Sequence, residues 1–132
     1  MSEPERQARV DYWLRLARED LEAASTLCAD ARIASRIPAY LAQQAAEKAL
    51  KAGIAAAGVE PPRTHDLDRL AQRQSAFELQ VSLDDLLALV DANIQGRYPD
   101  DLASSYGPEE ASTLIDIAAA VVATAVTALA GG

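Results

Sequence analysis

Apolar residues recur at steps of three and four along most of this chain, which is the period of one face of an α-helix. Over residues 4–29 the repeated positions include Val10, Leu14, Ala17 and Leu21, while charged residues take the other face. This pattern predicts a long amphipathic helix. The same period returns in four later segments, and no segment shows the strict alternation that is typical of a strand.

Helix start and stop signals locate three of the later segments. A second helix is predicted from an N-cap at Ser35 to a residue before Gly58, and a short third helix follows an N-cap at Thr64. A fourth helix is predicted to begin after Ser82 and to stop at Gly96.

The end of the chain contains a loop and then an apolar helix. Residues 96–107 combine Gly, Pro, Asp and Ser, a composition typical of a loop. Pro108 suits the first position of a helix that runs to about residue 130. We therefore predict an all-α fold, an antiparallel up-and-down four-helix bundle with an additional short helix, which forms a single domain over residues 1–132.

Composition agrees with helices and narrows the class of protein. The chain contains 29 alanines and only 5% aromatic residues, which favours closely packed helices. Its most apolar run, residues 117–130, is too short to span a bilayer, and the N-terminus lacks an apolar signal core. We expect a cytoplasmic protein that has no membrane segment.

The net charge of −8 is confined to the second half of the chain. Residues 1–74 carry eleven acidic and eleven basic side chains, whereas residues 75–132 carry nine acidic ones and a single base, Arg97. General nucleic-acid binding is not expected, because it needs Lys and Arg against phosphates. Cys28 and His65 are each the only residue of their type, so they cannot assemble a disulfide or a zinc site. No cofactor is expected.

Three short motifs resemble the HEPN domain family. They are Gln44-Ala45-Ala46-Glu47-Lys48-Ala49-Leu50-Lys51-Ala52, Thr64-His65-Asp66-Leu67 and Arg97-Tyr98-Pro99-Asp100. The resemblance implies an up-and-down helical bundle that is usually a homodimer. It also implies a toxin–antitoxin or defence module in which a nucleotidyltransferase protein is the partner, and the family name suggests a nucleotide ligand.

Many HEPN proteins are metal-independent RNases in which an Arg and a His a few residues later meet across the dimer. In this pattern Arg97 would be the Arg, whose guanidinium can stabilise the charge that develops on a phosphodiester during cleavage. The positions where the His should fall hold Leu102, Ala103 and Ser104. We therefore expect a non-catalytic interaction protein. The alternative is an RNase toxin with a degenerate site, in which Tyr98 or His65 transfers the proton.

The second helix carries a polar stripe formed by Gln44, Lys48 and Lys51, which follow at steps of four and three. Such a stripe is usually a solvated helix face. On a helix that is otherwise rich in Ala and Leu, it is also a candidate lining for a cleft in which the two lysines bind a phosphate.

Three further candidates for ligand binding each have a structural interpretation as well. Arg97 either pairs with a neighbouring Asp to anchor its loop or binds a ligand, and Tyr98 either fixes the same loop or joins that ligand site. His65 is either a first-turn residue packed on the preceding prolines or a ligand group. Small residues on the second and fifth helices favour close approach of a second chain, which agrees with a dimer.

Overall fold

Five α-helices lie in the part of the chain that the structure describes. The computed structural model describes residues 1–97 and 107–131, and in that part of the chain no strand is present. The helices are α1 Glu3–Cys28, α2 Arg36–Ala56, α3 Leu67–Arg73, α4 Leu83–Arg97 and α5 Pro108–Leu129. The predicted all-α class, with four long helices and one short one, is confirmed, whereas most of the predicted loop at residues 96–107 lies outside the described residues.

The start of α3 and the end of α4 differ from the predictions. The Thr64 hydroxyl accepts a hydrogen bond from the Asp66 N–H at 3.1 Å, so Thr64 forms a turn before the helix and does not cap it. Asp66 is the N-cap, and its carboxylate accepts from the N–H groups of Asp68 and Arg69. Gly96 does not stop α4, which continues to Arg97.

The centre of the fold is α2, which packs against all four other helices. Its buried side is formed largely by alanines, whose small side chains let neighbouring helices approach closely. These are Ala39, Ala42, Ala45, Ala46, Ala49, Ala52 and Ala55. The small residues of α2 therefore lie in the chain's own core and are not free to form a dimer interface.

Gly53 allows the segment after α3 to approach α2. A Cβ at this position would lie 2.7 Å from Gln74 Oε1 and 3.0 Å from Phe77 Cε1. The buried Gln74 side chain in turn donates to the Phe77 carbonyl at 2.8 Å and accepts from the Phe77 N–H at 3.3 Å. A glycine inside a helix costs about 1 kcal/mol relative to alanine, and here it makes room for a buried polar turn.

Among the described residues, α5 is the one helix long and apolar enough to cross a membrane by length and composition. The sequence-based expectation that the apolar stretch at residues 117–130 is too short to span a bilayer was therefore wrong. The segment with few charged residues begins before residue 117, nearer the start of α5. Core helices of soluble proteins pass the same test. One face of α5 packs against α2 and α1, as a core helix does, with Leu114, Ala118 and Val122 among its buried residues.

Candidate functional site

A row of buried polar side chains runs along α2. Gln43, Glu47 and Lys51 follow at steps of four and therefore lie on one helix face. The three residues are 0%, 2% and 6% exposed, respectively. Buried polar groups are costly unless they find partners, so the contacts of this row determine what it can do.

The Glu47 carboxylate is the centre of the network. Its Oε2 lies 3.3 Å from the Lys51 ammonium, and its Oε1 lies 2.9 Å from Nδ1 of His65. Oε1 also accepts a longer hydrogen bond, 3.4 Å, from the Gln43 amide. Both oxygens are thus engaged by polar groups, which offsets part of the cost of burying the charge.

His65 brings a second chain segment to this carboxylate. It belongs to the loop between α2 and α3 and lies outside the first turn of α3, which begins at Leu67. Its side chain is 42% exposed, so the imidazole connects the buried Glu47 to the surface. Nδ1 faces Glu47, and Nε2 has no hydrogen-bond partner among the described residues. An imidazole held in this way can offer its second ring nitrogen to an external group.

Lys51 is held by α1 as well as by α2. Its ammonium lies 5.4 Å from the centre of the Trp13 ring, a geometry in which a cation is attracted to the aromatic face. Because the same ammonium pairs with Glu47, the solvated-face interpretation does not hold for this lysine.

The other two residues of the predicted stripe are also engaged within the chain. Lys48 forms an ion pair with Asp20 of α1, and both side chains are about one-fifth exposed. Gln44 donates a hydrogen bond of 2.6 Å to Gln43 Oε1, which attaches it to the buried row. Through Lys48 and Lys51 the stripe therefore forms contacts between α2 and α1.

The charges of this region are balanced. Each of the two lysines is paired with a carboxylate, Asp20 for Lys48 and Glu47 for Lys51, so an entering phosphate would have to displace one of these carboxylates. No group of three or more His, Cys, Asp and Glu side chains is placed to hold a metal ion in the described part of the chain. At these two lysines the arrangement therefore offers no unpaired cation to an anion.

The six predicted ligand residues are only partly brought together. Lys51 and His65 meet through Glu47, and Gln44 joins them through Gln43, whereas Lys48 lies in a separate pair. Arg97 is the last residue of α4, and its side chain lies outside the described residues, as does Tyr98.

Sequence reasoning did not select the residues that organise the site. Glu47 appears in the first motif without a proposed role, and no site role was predicted for Gln43, Trp13 or Asp20. One available signal was the spacing of Gln43, Glu47 and Lys51, since polar residues at every fourth position form a row on a helix whose other positions are mostly apolar. The contacts from α1 carry no comparable signal in the sequence.

Comparison with known proteins identifies the family. The HEPN domain model matches residues 10–129, nearly the whole chain. The chain belongs to the HEPN domain family. No curated protein matches it significantly.

Two solved structures share the HEPN fold of this chain. TT1696 from Thermus thermophilus is 27% identical, with a TM-score of 0.72, and the match covers 92% of this chain and 98% of TT1696. ST0689, described as an archaeal HEPN homologue, is 25% identical, with a TM-score of 0.64, and the match covers 89% of this chain and 95% of that protein.

Proposed function

We propose that this HEPN-domain protein is a non-catalytic interaction protein that forms a homodimer and pairs with a nucleotidyltransferase in a toxin–antitoxin or defence module. The observation that supports a non-catalytic role is the pairing of Lys48 and Lys51 with carboxylates. Metal-independent cleavage of RNA needs a cation and a proton-transfer group at the same phosphate. Near His65, Lys51 is already neutralised by Glu47. The positions where a His would follow Arg97 hold Leu102, Ala103 and Ser104.

The exposed side of α5 supports the homodimer. The small residues of α2 are buried in the chain's own core, but Ala123, Thr127 and Ala128 of α5 are exposed. Small side chains let two helices approach closely, so this side of α5 suits packing against its counterpart in a second chain.

Co-expression tests the partner. Under this proposal a nucleotidyltransferase is encoded beside this protein. That nucleotidyltransferase is expressed together with the affinity-tagged protein, and a nucleotidyltransferase from an unrelated locus serves as the matched control. We expect the neighbouring protein alone to co-purify and to co-elute in gel filtration. Recovery of neither protein, or of both equally, would contradict the proposed pairing.

One observation favours the RNase alternative, namely a partly exposed His65 oriented by the buried Glu47. An imidazole supported by a carboxylate is a suitable general base. Under our proposal, expression of the wild-type protein does not arrest growth, and the purified protein does not cleave RNA. Cleavage that is lost in both Arg97→Ala and His65→Ala would establish the alternative instead.

A nucleotide ligand is the third component of the proposal, and Lys48 is the group through which it is tested. Because Asp20 neutralises Lys48, Asp20→Asn should free the ammonium and strengthen ATP binding, whereas Lys48→Met should abolish it. Calorimetry with ATP and GTP at millimolar concentration measures both effects. No heat of binding for the wild type or for Asp20→Asn would remove the nucleotide from the proposal.

A further inference from the structure

A small apolar pocket lies where the end of α2 meets the following loop and the last turn of α3. Its volume is about 180 Å³, and it is lined by Ile54, Ala57, Val59, Pro62 and Arg73. Val59 is 56% exposed although its side chain is apolar. Sites for whole small molecules usually measure about 300–1,000 Å³, so this pocket has the size for a single side chain.

One arginine lines this pocket, and two more are close to its lining residues along the chain. Arg73 lines the pocket, Arg63 directly follows the lining residue Pro62, and Arg69 lies one helical turn before Arg73 on the same face of α3. All three are exposed. Within the described residues none of them forms a salt bridge or a side-chain hydrogen bond, and we call them the arginine patch.

The two acidic residues between Arg63 and Arg73 form no ion pair with the arginine patch within the described residues. The Asp66 carboxylate accepts hydrogen bonds from backbone N–H groups at the start of α3. The Asp68 carboxylate accepts from the Gln72 amide at 3.3 Å. The guanidinium groups are therefore left available to an external anion.

Several arginines elsewhere in the protein are paired in a way that the arginine patch is not. Arg9 lies 2.8 Å from Glu60, and Arg32 lies 2.9 Å from Asp30. The Arg32 guanidinium hydrogen-bonds to the Asp30 carboxylate and lowers its pKa below the usual range. In a chain whose net charge is −8, three exposed arginines without an ion pair in the described part of the chain, one of them in the wall of an apolar pocket, are a distinct surface feature.

We propose that the arginine patch and the apolar pocket form a docking site for an acidic segment of a partner protein, which inserts one apolar side chain into the pocket. Charge complementarity selects the acidic flanks, since Arg binds carboxylates through paired N–H groups. The pocket selects the anchor, in the way that a buried aliphatic group fixes a peptide on its receptor. This inference rests on the proposed role as an interaction protein, but not on the partner being a nucleotidyltransferase.

The observations favour a peptide over a nucleic acid. The pocket walls other than Arg73 are aliphatic, and no aromatic ring on which a base could stack is among the described residues that line it. Three arginines in an acidic protein also give a short positive surface, whereas nucleic-acid binding depends on neutralising many phosphates.

The probe is a short fluorescein-labelled peptide of Asp and Glu residues around a single central Leu, and the measurement is fluorescence anisotropy. We expect binding that weakens as NaCl is raised from about 50 mM to about 500 mM. A peptide with Ser in place of the Leu should bind more weakly, because it lacks the apolar anchor. A peptide with Lys in place of the acidic residues should not bind.

Variants assign the binding to this surface. The double variant Arg69→Gln/Arg73→Gln should weaken binding of the acidic peptide by about tenfold or more, as expected for arginines central to an interface. Val59→Ser should weaken binding of the peptide with the central Leu but not binding of the peptide with Ser in its place. The matched control is Arg18→Gln/Arg36→Gln, which removes the same charge from arginines without salt bridges elsewhere in the described residues and should leave binding unchanged. Circular dichroism checks that all variants stay folded.

Three results would overturn the proposal. The first is an equal loss of peptide binding in the patch variant and the control variant. The second is tighter binding of a single-stranded RNA than of the acidic peptide. The third is that the wild type binds no peptide and the patch variant loses self-association. The last result would assign the surface to a second copy of the chain.

The same variants separate this inference from the proposed function. If the neighbouring nucleotidyltransferase co-purifies equally well with Arg69→Gln/Arg73→Gln, and the acidic peptide does not bind, the pairing stands and the docking site is wrong. If the acidic peptide binds as described and the nucleotidyltransferase does not co-purify, the docking site stands and the pairing is wrong.

Discussion

At the scale of single residues, the buried Glu47 carboxylate contacts three polar partners, Lys51, His65 and Gln43. Only 3% of its side chain is exposed, and the Lys51 side chain that pairs with it is 8% exposed. Removing one member of a buried ion pair leaves the other charge without compensation, which typically costs about 3–5 kcal/mol. We expect Glu47→Gln to lower the free energy of unfolding by about 3 kcal/mol, as measured by urea denaturation.

The control for this prediction removes both charges. In Glu47→Gln/Lys51→Met the unpaired ammonium is replaced by an apolar side chain of similar length, and replacing a buried pair in this way is often neutral. The double variant should therefore recover most of the lost stability. Equal stability of the single and double variants would show that the unpaired Lys51 ammonium is not the cause of the lost stability.

The sequence predicts these residues only in part, and the reason is physical. The spacing of Gln44, Lys48 and Lys51 correctly indicates one helix face, because helix geometry is local. Whether that face is solvated depends on what packs over it. Trp13 and Asp20 come from α1 and His65 from a loop, so their contacts with α2 are set by tertiary structure.

At the scale of elements, the end of α2 depends on Gly58. This residue has φ of +78°, the left-handed conformation that favours glycine, and its N–H donates to the Ala55 carbonyl at 2.9 Å. A Cβ there would meet only Cδ of Arg6, at 4.0 Å, so space does not limit the substitution. Gly58→Ala should therefore cost about 1–2 kcal/mol of unfolding free energy through its backbone conformation alone.

Gly58→Asn is the matched variant, because Asn adopts the left-handed conformation more readily than Ala. We expect it to be more stable than Gly58→Ala in the same thermal or urea denaturation. If the two variants are equally stable, the backbone conformation is not the cause. Since Gly58 directly precedes Val59 of the apolar pocket, Gly58→Ala should also weaken binding of the acidic Leu peptide.

Helix boundaries were predictable where the capping signal acts within one turn. Ser82 was expected to begin α4, and its hydroxyl accepts the Asp85 N–H at 3.1 Å. Thr64 carried the same type of signal, but Asp66 competes for the helix start two residues later and provides two hydrogen bonds to N–H groups. Gly96 was expected to end α4, yet an isolated glycine only weakens a helix, and α4 continues to the next residue.

At the scale of the whole molecule, the total charge follows from the sequence but the arrangement of paired and unpaired cations does not. The first 74 residues are neutral in sum. In the structure they include ion pairs such as Lys48 with Asp20, and also the unpaired arginine patch. The sum therefore conceals a positively charged surface, because pairing depends on which side chains the fold brings within reach.

The exposed side of α5 leads to the last prediction, which concerns the oligomeric state. Ala123, Thr124, Thr127 and Ala128 line one wall of an open groove of about 490 Å³, and Phe77 lines it from the segment after α3. If a second chain packs here, light scattering at micromolar concentration should give the mass of two 14.0 kDa chains. A wild-type protein with the mass of a single chain would remove the dimer from the proposal.

Two charge substitutions locate the interface of the proposed dimer. Ala123→Glu places a carboxylate on the exposed side of α5. In the proposed dimer this charge would be buried in the interface without a partner, which is costly. This variant should therefore give the mass of one chain. Ser25→Glu on the exposed side of α1 adds the same charge and should leave the dimer intact. Equal dissociation of both variants would show that the effect is not specific to α5, and the interface would then have to lie elsewhere.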